Sequence, residues 1–87
     1  MKVCILYRPR SEHARRVDEF VHEFERQKGI SVETLSLDTR DGAATASLYD
    51  IMQYPAIMIL RDDGQLHKLW TGEQLPLMNE VAIHLNT

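Results

Sequence analysis

Two uninterrupted apolar runs dominate the pattern of hydrophobic and polar positions along the chain. Residues 3–7 read Val-Cys-Ile-Leu-Tyr, and residues 56–60 read Ala-Ile-Met-Ile-Leu. Strands that are buried on both faces lack polar alternation, so both runs are predicted to be central strands of a sheet. Pro55 directly precedes the second run, and a residue without an N–H suits the first position of a strand. The rest of the chain is therefore predicted to fold around these two strands.

Apolar residues then recur at helical spacing after the first run, which predicts a helix. Ser11 is predicted to be its N-cap, because a serine hydroxyl can accept a hydrogen bond from the first helical turn. Gly29 is predicted to end it, because glycine readily adopts the left-handed conformation that closes helices.

Two further helices are predicted. One runs from about residue 42 to residue 52, with Asp41 as a candidate N-cap. Its apolar positions are Ala44, Leu48, Ile51 and Met52. The last helix begins near Pro76, where the missing N–H costs little, and we expect Trp70 to pack beneath it.

The remaining strands carry more polar residues and are predicted at or near the edges of the sheet. Residues 30–37 alternate only partly, and residues 66–71 return from a hairpin. The pair Asp63-Gly64 predicts a type I′ turn in that hairpin. The resulting order is β-α-β-α-β-β-α, an α/β fold with a four-stranded mixed sheet and helices on both faces.

Composition narrows the possible partners and the compartment. The chain has 87 residues, which suits one domain over residues 1–87, and its net charge of −3 predicts no nucleic-acid or anionic-membrane binding. The apolar run at residues 3–7 is too short for a signal peptide, and no segment is long enough to span a membrane. A single cysteine, Cys4, cannot form an internal disulfide and favours a reducing, cytoplasmic setting.

No cofactor and no metal site are predicted. The four histidines are spread along the chain, without the spacing of metal ligands. They are His13, His22, His67 and His84.

The order and spacing of four features resemble a thioredoxin-like domain of minimal, glutaredoxin-like size, over nearly the whole chain. A strand ends in residues 7–9 and leads into a helix, and residues 46–56 are similar to the family's approach to its cis-proline. A hairpin at Asp63-Gly64 follows at once, and Gly72 separates the last strand from the last helix. The resemblance implies a thioredoxin-like fold.

The redox motif of that family is missing. Its CxxC would fall near residues 11–14, and no cysteine lies between residues 7 and 28. Thiol–disulfide exchange needs a thiolate, so we expect no dithiol oxidoreductase activity. Ser11 cannot act as a nucleophile without a positioned base, and on a helix His13 would face away from it. No catalytic residue is predicted, and any other activity is left open.

The resemblance also implies a binding groove. It would lie between the first helix's N-terminus and a cis Tyr54–Pro55 corner, where free N–H groups and arginines could bind an anion, and the Tyr54 backbone could pair with a peptide. The alternative is a solvated surface loop beside a proline that merely starts a strand. The residues predicted to line the groove are Arg8, Arg10, Ser11, Glu12, His13, Tyr54 and Pro55.

Three functional hypotheses follow. The first is a redox-inactive protein that binds a protein segment or a small ligand in this groove. The second is a glutaredoxin- or glutathione-transferase-like protein that binds an anionic thiol such as glutathione. The third is a redox partner acting through Cys4, which burial of that residue would exclude. Arg8 and Arg10 directed into the groove would favour an anion, and the same residues directed away from it would favour a partner surface.

Overall fold

The computed structural model describes residues 1–72 and 74–85. Within these ranges a four-stranded sheet carries helices on both faces. The elements, in chain order, are β1 (Lys2–Tyr7), α1 (Ala14–Lys28), β2 (Val32–Ser36), α2 (Arg40–Leu48), β3 (Ala56–Leu60), β4 (Leu66–Thr71) and α3 (Met78–Leu85). This order confirms the predicted β-α-β-α-β-β-α fold. No helix in the described residues is long and apolar enough to cross a membrane.

The strand order in the sheet is β2-β1-β3-β4. Strands β1 and β2 are parallel, whereas β1 pairs antiparallel with β3 and β3 pairs antiparallel with β4. The two apolar runs therefore occupy the two central positions and the two more polar strands occupy the edges, as predicted. Every residue of β3 is buried, which agrees with its lack of polar alternation.

Side chains of the central strands alternate between two hydrophobic layers. Ile5 and Ile59 face α1 and α3, where they pack with Phe24. Leu6 and Met58 face α2 on the opposite side of the sheet. The α2 layer is thin, because the buried residues of that helix are the small Gly42 and Ala46.

Helix α1 begins later than the sequence predicted, and the N-cap prediction for Ser11 is wrong. The helix starts at Ala14, with His13 at the N-cap position and no side-chain cap. The Ser11 hydroxyl instead donates to the carbonyl oxygen of Arg8 at 2.6 Å and closes a turn after Pro9. The predicted end is confirmed, since Gly29 has φ 65° and donates its N–H to Glu25.

Helix α2 also differs from the prediction at both ends. Thr39, not Asp41, is the N-cap, and its hydroxyl oxygen accepts from the N–H of Gly42 at 3.1 Å. The helix ends at Leu48 in a Schellman motif, in which the N–H of Ile51 donates to the carbonyl of Ala46. The chain therefore leaves the helical path before residue 52.

The predicted apolar face of this helix is consequently wrong for three of its four members. Ile51 is buried, but it lies beyond the helix. Ala44 is exposed, and the exposed fractions of Leu48 and Met52 reach 75% and 85%.

The hairpin between β3 and β4 is not a type I′ turn. That turn requires positive φ at both central residues, and here Gly64 has φ 87° whereas Asp63 does not have a positive φ. A three-residue loop forms instead, in which the N–H of Gly64 donates to the carbonyl of Arg61 at 2.9 Å. After β4, Trp70 packs at the α1–α3 layer with its ring 5.6 Å from that of His84 on α3, as expected.

Candidate functional site

Arg8 lies where the two parallel strands β1 and β2 end. Its Nη1 atom is 3.2 Å from Oδ1 of Asp38, a residue 30 positions further along the chain. Parallel strands place their carboxyl ends at the same edge of a sheet, which brings these two residues together. The guanidinium carbon of Arg8 also lies 6.0 Å from the ring centroid of Tyr54. Arg8 is thus held between a carboxylate and an aromatic ring.

Two of the predicted site residues shape the loop that carries Arg8. The Ser11 hydroxyl and the Ser11 N–H both donate to the carbonyl of Arg8. The N–H of Arg8 in turn donates to Nε2 of His13 at 3.1 Å. The N–H of Ala14 donates to the Ser11 carbonyl, so part of the predicted set of unpaired amides is engaged inside the loop. Arg10 and Glu12 are exposed on this loop.

The Tyr54–Pro55 corner forms the opposite wall. The Tyr54–Pro55 peptide bond is cis, which is the isomer that the resemblance implies. Pro55 is fully buried and its carbonyl accepts from the N–H of Gly72 at 3.1 Å. The Tyr54 hydroxyl donates to the carbonyl of Ile51 at 2.8 Å and fixes the ring. Within the described residues, the Tyr54 backbone amide and carbonyl make no hydrogen bond.

A pocket of about 400 Å³ opens beside this corner, between Tyr54 and helix α2. Of the seven predicted site residues, the structure brings Arg8 and Tyr54 into its wall. The other five, at positions 10–13 and 55, do not line it. The pocket therefore lies on the α2 side of Arg8, away from the N-terminus of α1.

Sequence reasoning missed most of the pocket wall. The wall is made by residues that follow β2, belong to α2 or come just after α2: Leu37, Ala43, Ala46, Ser47, Asp50, Ile51 and Met52. The available signal was the run of small residues in α2, since a helix built from alanine and serine leaves space beside the sheet. Asp38 carried a second signal, because it follows the strand that is parallel to β1.

The single thiol lies elsewhere, at the floor of a second cavity of about 320 Å³ on the other side of α2. Cys4 is 1% exposed. Burial, and secondarily the carboxylate of Glu33, raises the pKa of Cys4 to about 11, because both disfavour the thiolate. Only the thiolate attacks disulfides, so the burial argues against the third hypothesis, in which Cys4 is an intermolecular redox thiol.

We therefore predict that Cys4 reacts slowly in the native protein. At about pH 8 roughly one thiol in a thousand is ionised when its pKa is near 11, and the buried sulfur is also inaccessible. Labelling with Ellman's reagent should be slow in buffer and rapid in guanidinium chloride. Reaction of the folded protein as fast as that of the unfolded chain would contradict the buried position.

Among residues 1–72 and 74–85 there is no group of three or more histidine, cysteine, aspartate or glutamate side chains that could hold a metal ion. What the site offers is a Tyr54 backbone without a hydrogen-bond partner among the described residues, an arginine beside the Tyr54 ring, and a pocket with both apolar and polar groups in its wall. Such an arrangement can bind, because it supplies hydrogen-bonding groups and an apolar surface together.

Comparisons with known proteins agree with this architecture. No protein-family model matches the sequence, and no curated protein matches it. Among solved structures, thioredoxin 1 of the thermophilic eubacterium Thermosipho africanus superimposes with a TM-score of 0.70 at 12% identity, covering 99% of this chain and 91% of that chain. Plasmodium falciparum thioredoxin gives 0.66 at 9% identity, covering 98% and 82%.

A chain of the complex between ferredoxin:thioredoxin reductase and thioredoxin f2 gives a TM-score of 0.67 at 18% identity, covering 98% of this chain and 76% of that chain. These identities are low, so the similarity concerns the backbone. In this chain the sheet has the order β2-β1-β3-β4, helices cover both of its faces, and the peptide bond before Pro55 is cis. On these grounds the protein has a thioredoxin-like fold.

Proposed function

We propose that this protein is a redox-inactive thioredoxin-fold protein that binds an extended protein segment at the corner formed by Arg8 and Tyr54. The observation that carries the proposal is the backbone of Tyr54, which has no hydrogen-bond partner among the described residues and belongs to a residue lining a pocket of about 400 Å³. An extended segment could pair with this backbone as a short added strand, while one of its side chains enters the pocket.

The same corner offers little for thiol chemistry. The chain has one cysteine, and Cys4 is buried in the core with a raised pKa. Binding does not depend on the missing cysteines, because backbone pairing and apolar contact need no thiol. A reducing, cytoplasmic setting suits a protein whose single thiol is kept in the core.

Binding of a small anionic ligand such as glutathione is the second candidate, and Arg8 is the observation in its favour. Arg8 lines the pocket, as an anion-binding arginine would. Its guanidinium, however, is already paired with Asp38, and Arg10 does not line the pocket. An incoming anion would have to compete with the Asp38 carboxylate, which makes a protein segment the better fit.

Titration of the ¹⁵N-labelled protein with extended peptides, glutathione and phosphate tests the proposal. We expect peptides to shift the amides of residues 8–13 and 53–56 together, and more strongly than either anion does. Arg8→Gln should weaken peptide binding several-fold, because it removes the stacked group beside Tyr54.

Arg26→Gln is the matched control. It also removes an arginine that forms a surface ion pair, with Glu23 on α1, and such pairs contribute little to stability. It should leave binding unchanged. A partner that perturbs only α3 or the face of the sheet toward α1 would show that the Tyr54 corner is not the binding site.

A further inference from the structure

We propose that the pocket beside Tyr54 receives one large apolar side chain of the bound segment, and that the neighbouring residue of that segment is basic. This inference rests on the proposed function and adds the chemistry of the partner. The occupant is thus an extended segment with a leucine-sized anchor next to a lysine or arginine.

The floor of the pocket supports an apolar anchor. Ile51 and Ala46 are buried there, and Leu37 is half-buried beside them. The volume of about 400 Å³ exists because α2 presents short side chains to this part of the sheet. The wall also contains polar groups of Arg8, Ser47 and Asp50, and a cavity of several hundred cubic ångströms that combines apolar with polar groups is typical of ligand sites. An aliphatic side chain would bury its surface against this floor.

Met52 supports the same conclusion at the rim. It lines the pocket and is 85% exposed, an unusual placement for a large apolar residue in a short loop. A methionine side chain is unbranched and polarizable, so it can close over apolar groups of different shapes. Contact with a partner's side chain would bury this surface, which the protein alone leaves in water.

The charges around the mouth favour a basic neighbour. Arg8 is neutralised by Asp38, whereas Asp50 lines the pocket and makes no ion pair with any described residue. The Schellman motif at the end of α2 fixes the backbone of Asp50, which has φ 58°. The mouth therefore carries one uncompensated negative charge at a fixed backbone position. A lysine or arginine complements it, and a carboxylate would be repelled.

Blocked dipeptides test the pocket separately from the rest of the corner. Acetyl-Leu-Lys-amide, at millimolar concentration, should shift the amides of residues 37, 43–47 and 50–52. Acetyl-Ala-Lys-amide should bind roughly tenfold more weakly or worse, because it lacks the apolar atoms that fill the pocket. Acetyl-Leu-Glu-amide should bind several-fold more weakly, because its carboxylate faces Asp50.

Two pairs of variants make the test specific to the site. Ala43→Leu places a larger side chain in the pocket from an exposed position of α2, and it should abolish the amide shifts caused by the dipeptides. Ala44→Leu is the control, because Ala44 is exposed on the same helix but does not line the pocket, and it should leave those shifts unchanged. Asp50→Asn should remove the preference for lysine over glutamate, whereas Asp18→Asn on α1 should leave it intact. Circular dichroism establishes that each variant is folded, and if Ala43→Leu does not fold, the dipeptide series decides.

Several outcomes would overturn this inference. The leucine and alanine dipeptides could bind equally well, Ala43→Leu could bind like the parent, or no dipeptide could shift the pocket amides. The pocket amides could also shift with protein concentration alone, which would make a second copy the occupant. If extended peptides still move residues 8–13 and 53–56 in any of these cases, the proposed function stands and only the pocket assignment fails. If neither dipeptides nor extended peptides bind, both fail.

Discussion

Truncating Ile59 to alanine is expected to lower the free energy of unfolding by about 2–5 kcal/mol, since it removes a large side chain from a tightly packed core. Ile59 lies on β3, pairs with Val3 of the neighbouring β1 and is fully buried toward Phe24 and Val81. The loss combines the removed apolar contacts with the cavity left behind, because a central strand cannot move to fill it. Urea denaturation followed by circular dichroism measures the change.

Ile83→Ala provides the matched control for that experiment. It deletes the same atoms from a side chain on α3 that is 63% exposed. We expect it to change the stability by less than about 1 kcal/mol, because little buried surface is lost. Equal midpoints for the parent and the Ile59 variant would mean that β3 is not the centre of the sheet.

Replacing Gly42 by alanine is the second change with a large expected effect. In an exposed helix such a change stabilises by roughly 1 kcal/mol, because alanine has the higher helix propensity. Here a Cβ on Gly42 would overlap the backbone of Ser36, whose carbonyl carbon would be only 2.6 Å away. Because neither backbone segment can yield without moving α2 or the end of β2, we expect destabilisation by about 1–3 kcal/mol.

The reverse substitution at a neighbouring position calibrates the effect. Ala44 is exposed on the same helix, so Ala44→Gly should cost about 1 kcal/mol through helix propensity alone. Chemical denaturation of the two variants then separates propensity from packing. If Gly42→Ala raises the denaturation midpoint, α2 does not lie as close to Ser36 as the structure places it.

This close approach also bears on the proposed binding site. Gly42 lets α2 lie directly against the end of β2, and Ala43 and Ala46 follow it along the wall of the pocket. Moving α2 outward would change the shape of that wall. We therefore expect Gly42→Ala to weaken binding as well as stability, whereas Ile59→Ala acts on the opposite layer of the core.

The central strands could be predicted from the sequence because burial on both faces leaves a signature in the residues themselves. Five consecutive apolar residues at positions 56–60 are compatible with few environments other than the middle of a sheet. The end of α1 could also be predicted from the sequence, since Gly29 adopts the left-handed conformation, which residues with a Cβ rarely adopt. Both are local effects of side-chain chemistry on one strand or one turn.

The site was only partly predictable. Tyr54, Pro55 and Arg8 stood out in the sequence, but the start of α1 was placed wrongly because the Ser11 hydroxyl had two possible partners. A serine can cap a helix or close a turn, and local sequence does not choose between these hydrogen bonds. At the start of α2, Thr39 and Asp41 were both possible N-caps by residue type, and the structure has Thr39 in that position.

The sequence by itself determined which segments would be buried and in what order strands and helices would follow, because these depend on residue type and period. The tertiary structure alone decided that Arg8 meets Asp38, and that the residues after α2 border a pocket together with Arg8 and Tyr54. Those contacts join residues brought together by the parallel pairing of β1 and β2 and by the approach of Gly42 to Ser36. Pairings between distant parts of a chain depend on how whole elements pack, and no local pattern encodes that.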